Sequence, residues 1–240
     1  MNAGSAAAQG TTPFKLGTFQ ASGREFLGLV LSETRVLDIA QANAAFESRN
    51  RSAPKLFVPT DMKQLIASYD SGLGTRLGQI AAVEVSAGAA PYAYTVANLR
   101  ILPPVRPAVI LNGGANYPEH LAGIQARDAA VGASQDQTAP AAAAPPRPTP
   151  VAPSAAQSAP GIWERSAGDT RPDNPYLFLK SPSVVVGGND DVVVPRGREQ
   201  IDFECEFAIV IGKPAKNLTV ANAADYIFGY TIEFDVSDRG

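Results

Sequence analysis

The sequence has one cysteine, one histidine and no long hydrophobic run. A single cysteine excludes a disulfide framework and a metal site built from several thiolates, and a single histidine excludes a multi-histidine site. No apolar run approaches the ~20 residues that a membrane-spanning helix needs. Any metal that this chain binds would therefore need oxygen ligands.

The chain also lacks an excess of positive charge, because 20 Lys and Arg stand against 23 Asp and Glu, for a net charge of −3. A protein needs such an excess to neutralise a phosphate backbone, so nucleic acid is not an expected partner. The first residues contain neither the basic nor the apolar stretch of a secretory signal. We therefore expect a cytoplasmic protein that does not bind membranes.

The pattern of predicted strands and helices indicates an α+β fold, mostly β, and a double proline near residue 103 marks a boundary between two domains. We expect a disordered lead over residues 1–13, a small N-terminal α+β domain over 14–103, and a second domain over 104–240. An Ala- and Pro-rich insertion is predicted at about residues 129–160, since 139–160 contains 9 Ala and 7 Pro. Such a stretch buries too little apolar area to offset its ordering entropy, and we expect it to be disordered.

In the N-terminal domain, FKLGTF and REFLGLVLS predict a hairpin that turns at Ser22 and Gly23. A helix is predicted to begin with Thr60 as its N-cap and to run through MKQLIASYDSGLGTRLGQIAAV. The domain gathers no cluster of catalytic residue types. We expect it to have a structural or oligomerisation role.

The second domain has a strongly β pattern from residue 175 onward. The predicted strands are YLFLK, SVVVG, DVVVP, IDFECEFAIVIG and YTIEFDVS. Before them, a short buried strand over residues 109–111 is broken by Asn112-Gly113-Gly114 and followed by NYPEH. A strand that hands over to a polar cluster is typical of a loop that forms a site.

The strand over residues 201–212 carries the first sign of chemistry. Successive side chains alternate between faces, so Phe203, Cys205 and Phe207 share one face, which we expect to be core, with Cys205 as a core thiol. Glu204 and Glu206 share the other face. Adjacent carboxylates on a partly buried face need a basic partner, a shared proton or a divalent cation. The alternative is an edge strand with both carboxylates in solvent.

A second β segment, YTIEFDVS, contains a further candidate ligand, Asp235, among mostly apolar residues. Alternation places Glu233 and Asp235 on one face of this segment. Glu204, Glu206 and Asp235 from neighbouring strands would form an oxygen-rich site. Such a site suits Mg²⁺, Mn²⁺ or Ca²⁺ better than Zn²⁺.

These motifs resemble the core of the fumarylacetoacetate hydrolase family. The runs that carry the similarity are DFECEFAIVIGKPAKN and DYIFGYTIEFDVSDRG, together with YLFLKSPSVVVGG and NYPEH. They cover roughly residues 105–120 and 175–240. The resemblance implies a mixed β-roll of the family's C-terminal type, a homodimer, and an enzyme that uses Mg²⁺ or Mn²⁺ on a small acidic substrate.

The resemblance also implies roles for individual residues. The metal ligands would be Glu204, Glu206 and Asp235, and His120 in the N-Y-x-x-H stretch would be the catalytic histidine. Many members have Glu three residues after this histidine, where the present chain has Gly123. Glu164 is our candidate for that missing carboxylate. The candidate substrate-binding residues are Tyr117, Lys180 and Arg239.

The reaction that the resemblance implies is hydrolysis of a C–C bond in a 1,3-dicarbonyl or acylpyruvate-type acid through a metal-stabilised enolate. Such acids arise in the catabolism of aromatic compounds. A decarboxylase, isomerase, hydratase or dehydratase of a sugar-derived or catechol-derived 2-oxo acid remains an alternative. Family members continue past the D-V-S-x-R stretch, so we expect a front part of a longer enzyme. The alternative from another class is a catalytically incomplete fragment that binds metal or mediates dimerisation.

Overall fold

A computed structural model of the chain describes residues 12–114, 126 and 176–238. These residues fall into two compact units, one of residues 12–108 with 182–238, the other of residues 109–114, 126 and 176–181. The architecture is mixed α+β and dominated by sheet, as the sequence predicts. Within these ranges, no helix has both the length and the apolar character needed to cross a membrane.

The first unit begins with a five-stranded antiparallel sheet of the strands β1 (Lys15–Ala21), β2 (Arg24–Val30), β3 (Arg35–Asp38), β4 (Ala93–Thr95) and β5 (Arg100–Leu102). Their order in the sheet is β4-β3-β2-β1-β5. The predicted hairpin is confirmed, and Ser22 and Gly23 both have positive φ, as a tight two-residue hairpin turn requires. The short β5 forms one edge of the sheet.

Three helices accompany this sheet: α1 (Ile39–Arg49), α2 (Met62–Ser68) and α3 (Leu73–Glu84). The prediction of Thr60 as an N-cap is wrong, because the Asp61 carboxylate accepts hydrogen bonds from the first backbone N–H groups of α2. The predicted single helix is also interrupted. The chain turns at Gly72, whose φ of 105° cannot continue a right-handed helix.

Apolar side chains of this unit pack on both faces of the sheet. A smaller cluster on one face contains Phe19, Phe26, Val36 and Leu99. The larger cluster lies between the opposite face and the helices, and its fully buried members include Leu29, Leu37, Ile39, Leu65 and Leu77. This core gives the N-terminal part of the chain a rigid body on which other elements can be positioned.

The second unit contains an antiparallel pair, β6 (Ile110–Gly114) and β7 (Tyr176–Lys180). The strand predicted for residues 109–111 therefore continues through the Asn-Gly-Gly sequence instead of breaking there. Its buried residue is Asn112, which is 5% exposed, whereas Val109 and Leu111 are exposed. Apolar character alone therefore does not report burial in this strand, because burial depends on what packs over each face of the pair.

Two valine-rich runs that were predicted as strands are loops. Residues Pro182–Val184 form a single 3₁₀ turn, and residues 191–195 have no regular structure. In the run LTVANAADYIFGY, only Ala223–Tyr226 is helical, and it forms a single 3₁₀ turn. Here the Asn222 side chain accepts a hydrogen bond from the Thr219 N–H, which offers the backbone a local alternative to a helix.

The long strands β8 (Ile201–Ile211) and β9 (Ile227–Asp238) pair antiparallel and form a two-stranded ribbon. At its base the register shifts between Val210 and Ile211, and Phe228 is left without a partner in the pairing. The Phe228 ring packs edge-on against Tyr69 at 5.1 Å between centroids and joins the larger N-terminal core. Lys213 also pairs with Asp70 at 3.0 Å. The ribbon is thereby fixed to the N-terminal sheet domain.

A second contact within the first unit joins the turn at residues 187–190 to the edge strand β5. Asn189 Oδ1 accepts a hydrogen bond from the Ile101 N–H at 3.1 Å. Arg100 donates to Asp190 Oδ1 at 2.6 Å, and the Gly187 N–H donates to Asp190 Oδ2 at 2.9 Å. The Gly187 N–H and then the Arg100 guanidinium lower the pKa of Asp190. This turn satisfies an exposed sheet edge that would otherwise be open to pairing.

The close packing of this turn predicts a different response to alanine at two neighbouring glycines. A Cβ added at Gly187 would lie 2.1 Å from the Ile101 carbonyl oxygen, whereas a Cβ at Gly188 meets nothing within 4 Å. Because backbone cannot give way cheaply, we expect Gly187→Ala to lower the free energy of unfolding by about 1–3 kcal/mol. The matched control Gly188→Ala should change it by less than about 0.5 kcal/mol. Urea denaturation of both variants checks this, and equal midpoints would contradict it.

Candidate metal centre

The register of the ribbon decides which of its acidic side chains meet. Glu204 lies directly opposite Asp235 in the antiparallel pairing. Directly opposite residues project from the same face of a sheet, and residues two apart on one strand do so as well. Glu206 therefore joins Glu204 and Asp235 on one face. The alternation predicted for both strands is confirmed.

The three carboxylates converge closely enough to share one ion. Glu204, Glu206 and Asp235 each offer one oxygen, and these oxygens all lie within 4.8 Å of one another. Asp235 is only 3% exposed, while both glutamates are half-buried. The face is therefore partly buried, and the alternative of an edge strand with both glutamates in solvent does not describe it.

The donor set fits a hard divalent cation. Three carboxylate oxygens match the ligand preferences of Mg²⁺, Mn²⁺ and Ca²⁺, all of which accept further oxygens from water or from a bound acid. Three negative charges at this spacing repel one another, and partial burial reduces their screening by solvent. A divalent cation would relieve that repulsion, so Glu204, Glu206 and Asp235 are the residues that would hold it.

The opposite face of the ribbon differs from the expected core. Its large apolar side chains are between 53% and 68% exposed: Phe203, Phe207, Ile209, Ile232 and Phe234. The Cys205 thiol faces away from the carboxylates as predicted, but it is exposed and not a core thiol. Alternation identifies which residues share a face, whereas burial depends on what packs over that face. A two-stranded ribbon has no second layer of its own.

Of the remaining predicted site residues, the structure describes Lys180. Lys180 ends β7 in the other compact unit, where its ammonium lies 5.9 Å from the centroid of the Phe178 ring. Four candidates lie outside the described residues, and their roles stay predictions: Tyr117, His120, Glu164 and Arg239.

A fourth acidic residue on the same face, Glu233, is not among the site residues that the sequence predicts. Glu233 lies directly opposite Glu206, although it does not belong to the group of converging oxygens. Alternation had already placed Glu233 and Asp235 on one face of the segment. Only the cross-strand register shows which residue each of them faces, and that register cannot be read from either strand alone.

The motifs on this ribbon match a known family. Residues 110–240, more than half of the chain, match the fumarylacetoacetate (FAA) hydrolase C-terminal family. The chain belongs to the fumarylacetoacetate hydrolase family. The matched range contains the whole ribbon and its three converging carboxylates.

Individual proteins are also similar to parts of this chain in sequence. An uncharacterised protein of Pyrococcus abyssi is 45% identical over 75 residues, which are 31% of this chain and 33% of that protein. The homoprotocatechuate catabolism bifunctional isomerase/decarboxylase of Escherichia coli is 41% identical over 68 residues, which are 28% of this chain and 16% of that enzyme. The chain therefore aligns with a third or less of the length of these relatives.

A solved structure shares the fold. Maleylpyruvate hydrolase from Sphingobium sp. SYK-6, in complex with manganese(II) ion and pyruvate, superposes with a TM-score of 0.53 at 23% identity. The superposition covers 94% of this chain and 59% of the other. At this identity the likeness establishes the fold alone.

The converging carboxylates predict a metal-dependent gain in stability. At Mn²⁺ a hundredfold above its dissociation constant, a ligand that binds only the folded state adds about 2.7 kcal/mol. We expect Glu204→Gln to lose most of that gain. In EDTA the variant should be at least as stable as the parent, because one like charge has been removed from the cluster. Thermal unfolding with and without MnCl₂ measures both effects.

The control for this experiment is Glu199→Gln, an exposed acid that precedes β8. It should keep the full Mn²⁺-dependent gain. Full retention of the gain by Glu204→Gln would exclude a metal site at the three carboxylates.

Proposed function

We propose that this chain forms part of a divalent-metal-dependent hydrolase that cleaves a C–C bond in a small acylpyruvate-type acid, with Mg²⁺ or Mn²⁺ as its cofactor. The observation that carries the proposal is the convergence of Glu204, Glu206 and Asp235 on a ribbon within the family match. Further support comes from the fold shared with a hydrolase whose structure contains manganese and pyruvate.

The charge of the site indicates what the substrate and its other contacts should be. A divalent cation supplies Lewis acidity to oxygens of the bound acid, and together with three carboxylates it leaves a net charge of about −1. An anionic substrate is then repelled unless cationic side chains accompany it. We propose that Lys180 and Arg239 bind the substrate carboxylate, because their ammonium and guanidinium groups would offset that charge.

Hydrolysis also requires a base that deprotonates the attacking water. We propose that the neutral imidazole of His120 takes the proton from the attacking water, since histidine titrates close to physiological pH. Glu164 would then hold the protonated imidazole, and Tyr117 would orient it or contact the substrate. Hydrolysis needs this base because water must lose a proton as it adds to the carbonyl carbon.

A second candidate function is isomerisation or decarboxylation of a related 2-oxo acid. The Escherichia coli relative that is 41% identical over the aligned 68 residues is named as an isomerase/decarboxylase. Both reactions can use the same oxygen-ligated cation without activating water. Product analysis separates the candidates: hydrolysis yields two acids, decarboxylation releases CO₂, and isomerisation changes neither mass nor atom count.

The base assignment predicts a separation of turnover from metal binding. We expect His120→Ala to lower the turnover of an acylpyruvate by roughly 10²- to 10⁴-fold, the usual contribution of a general base. Its dissociation constant for Mn²⁺ should stay within about twofold of the parent value, since His120 is not among the proposed ligands. Loss of ultraviolet absorbance by the acylpyruvate reports turnover, and calorimetric titration with MnCl₂ reports binding.

Unchanged turnover in His120→Ala would exclude this histidine as the base. If the parent chain binds Mn²⁺ but converts neither acylpyruvates nor related 2-oxo acids, the alternative of a metal-binding fragment is supported instead.

We further propose that two copies of the chain associate through the apolar face of the ribbon. We define this face by seven large apolar side chains, each more than half exposed: Phe203, Phe207, Ile209, Ile211, Tyr230, Ile232 and Phe234. Each large apolar side chain contributes on the order of 100 Å² here, for about 700–800 Å² in all. A standard interface buries about 800 Å² per partner, so this face is large enough for a homodimer.

A charge placed on this face tests the homodimer. We expect Ile232→Glu to shift the chain from dimer to monomer, because the interface would bury an unpaired carboxylate. The control is Val220→Glu, which changes a side chain that is 98% exposed and lies outside the ribbon. Sedimentation equilibrium of the parent and both variants measures the mass, and a monomeric parent would contradict the proposal.

A further inference from the structure

The acidic face of the ribbon extends beyond the three converging carboxylates. Two cross-strand pairs lie next to each other along the ribbon, Glu204 with Asp235 and Glu206 with Glu233. Both pairs are acid opposite acid. Residues directly opposite each other have Cβ atoms about 4.5–5.5 Å apart, so the side chains of Glu233 and Glu206 start from neighbouring Cβ atoms.

This placement costs stability in the absence of a cation. Like charges directly opposite each other destabilise an antiparallel pair. Glu233 is half-buried, and within the described part of the chain its side chain has neither an ion pair nor a hydrogen bond. The next pair toward the base, Ala208 with Thr231, is small and neutral. Glu233 is thus the last charged residue of this face in that direction.

We propose that Glu233 is a fourth acidic member of the metal centre and that it raises the affinity of the centre for its divalent cation. This inference rests on the proposed metal-dependent function. Its position suits an outer role, because its carboxylate lies outside the group whose oxygens all approach within 4.8 Å of one another. It therefore adds negative charge beside the three ligands without being required to complete them.

The physical basis is the dependence of cation affinity on the number of charged ligands and neighbours. Proteins tune Ca²⁺ and related sites over several orders of magnitude by charge count and rigidity. A carboxylate on a partly buried face is screened less than one in bulk solvent, so its charge acts more strongly on the ion. A fourth carboxylate on this face should therefore strengthen binding by a measurable factor.

Asp202 provides a matched control on the same face. It lies two residues before Glu204 and opposite Ser237, so Asp202 and Glu233 flank the three ligands from opposite ends. Asp202 differs in being exposed, and its carboxylate accepts a hydrogen bond from the Phe203 N–H at 2.9 Å. Both Asp202→Asn and Glu233→Gln remove one negative charge and keep the shape of the side chain.

The test is calorimetric titration of the full chain with MnCl₂ at fixed pH and ionic strength, with the electron paramagnetic resonance signal of free Mn²⁺ as an independent readout. We expect Glu233→Gln to raise the dissociation constant for Mn²⁺ by about tenfold, equivalent to 1.4 kcal/mol. Asp202→Asn should raise it by less than about threefold, since solvent screens an exposed carboxylate.

Thermal unfolding in EDTA separates a metal role from a structural role. If Glu233 acts through the cation, Glu233→Gln should not lower the midpoint in EDTA, because the substitution removes a repulsive pair. A lower midpoint in EDTA together with an unchanged Mn²⁺ affinity would assign Glu233 to the fold and overturn the inference.

The inference is also overturned if Glu233→Gln changes the Mn²⁺ affinity no more than Asp202→Asn does. Glu204→Gln is the separate test of the centre itself. If Glu204→Gln leaves Mn²⁺ binding intact, the proposed metal centre fails. If Glu204→Gln abolishes binding while Glu233→Gln has no effect, only the role of Glu233 fails.

Discussion

Antiparallel pairing determines which side chains of two strands meet, and the candidate site depends on one such register. Because Glu204 pairs with Asp235, acids from two strands lie on one face together with Glu206. A slip of one residue would turn every side chain of one strand to the opposite face. The carboxylates would then be divided between the two sides of the ribbon. The converging oxygens are therefore a property of the pairing as much as of the residues themselves.

This arrangement places mutually repelling groups where an ordinary sheet would place neutral or oppositely charged pairs. The ribbon keeps its geometry because eleven cross-strand residue pairs join its two strands, and because its base is packed into the N-terminal core through Phe228. The turn at Gly187 holds the same part of the chain against the edge of the N-terminal sheet. Carboxylates that repel one another stay together only with such support from the surrounding structure.

Much of the site could be predicted from the sequence, because period-2 alternation reports faces directly. Alternation placed Glu204 and Glu206 on one face of their strand and Asp235 on one face of its own. The single cysteine and single histidine predicted that any bound metal would have oxygen ligands. Other features depend on tertiary context. The exposed apolar face and the exposed Cys205 depend on what packs above the strand, and the valine-rich loops show that β-propensity is expressed only where a pairing partner exists. Local details such as the Asp61 cap depend on competition between adjacent polar residues.

The unpaired Phe228 has a consequence for how this chain can vary in length. Its ring is held in the N-terminal core, and the six residues between it and Asp235 belong to the paired strand. An insertion or deletion of one residue in that interval would reverse the face of everything beyond it, unless Phe228 left the core. A substitution within the interval changes one side chain, whereas a change in length moves Asp235 to the other face of the ribbon. We therefore expect homologous chains to keep this interval constant even where their residues differ.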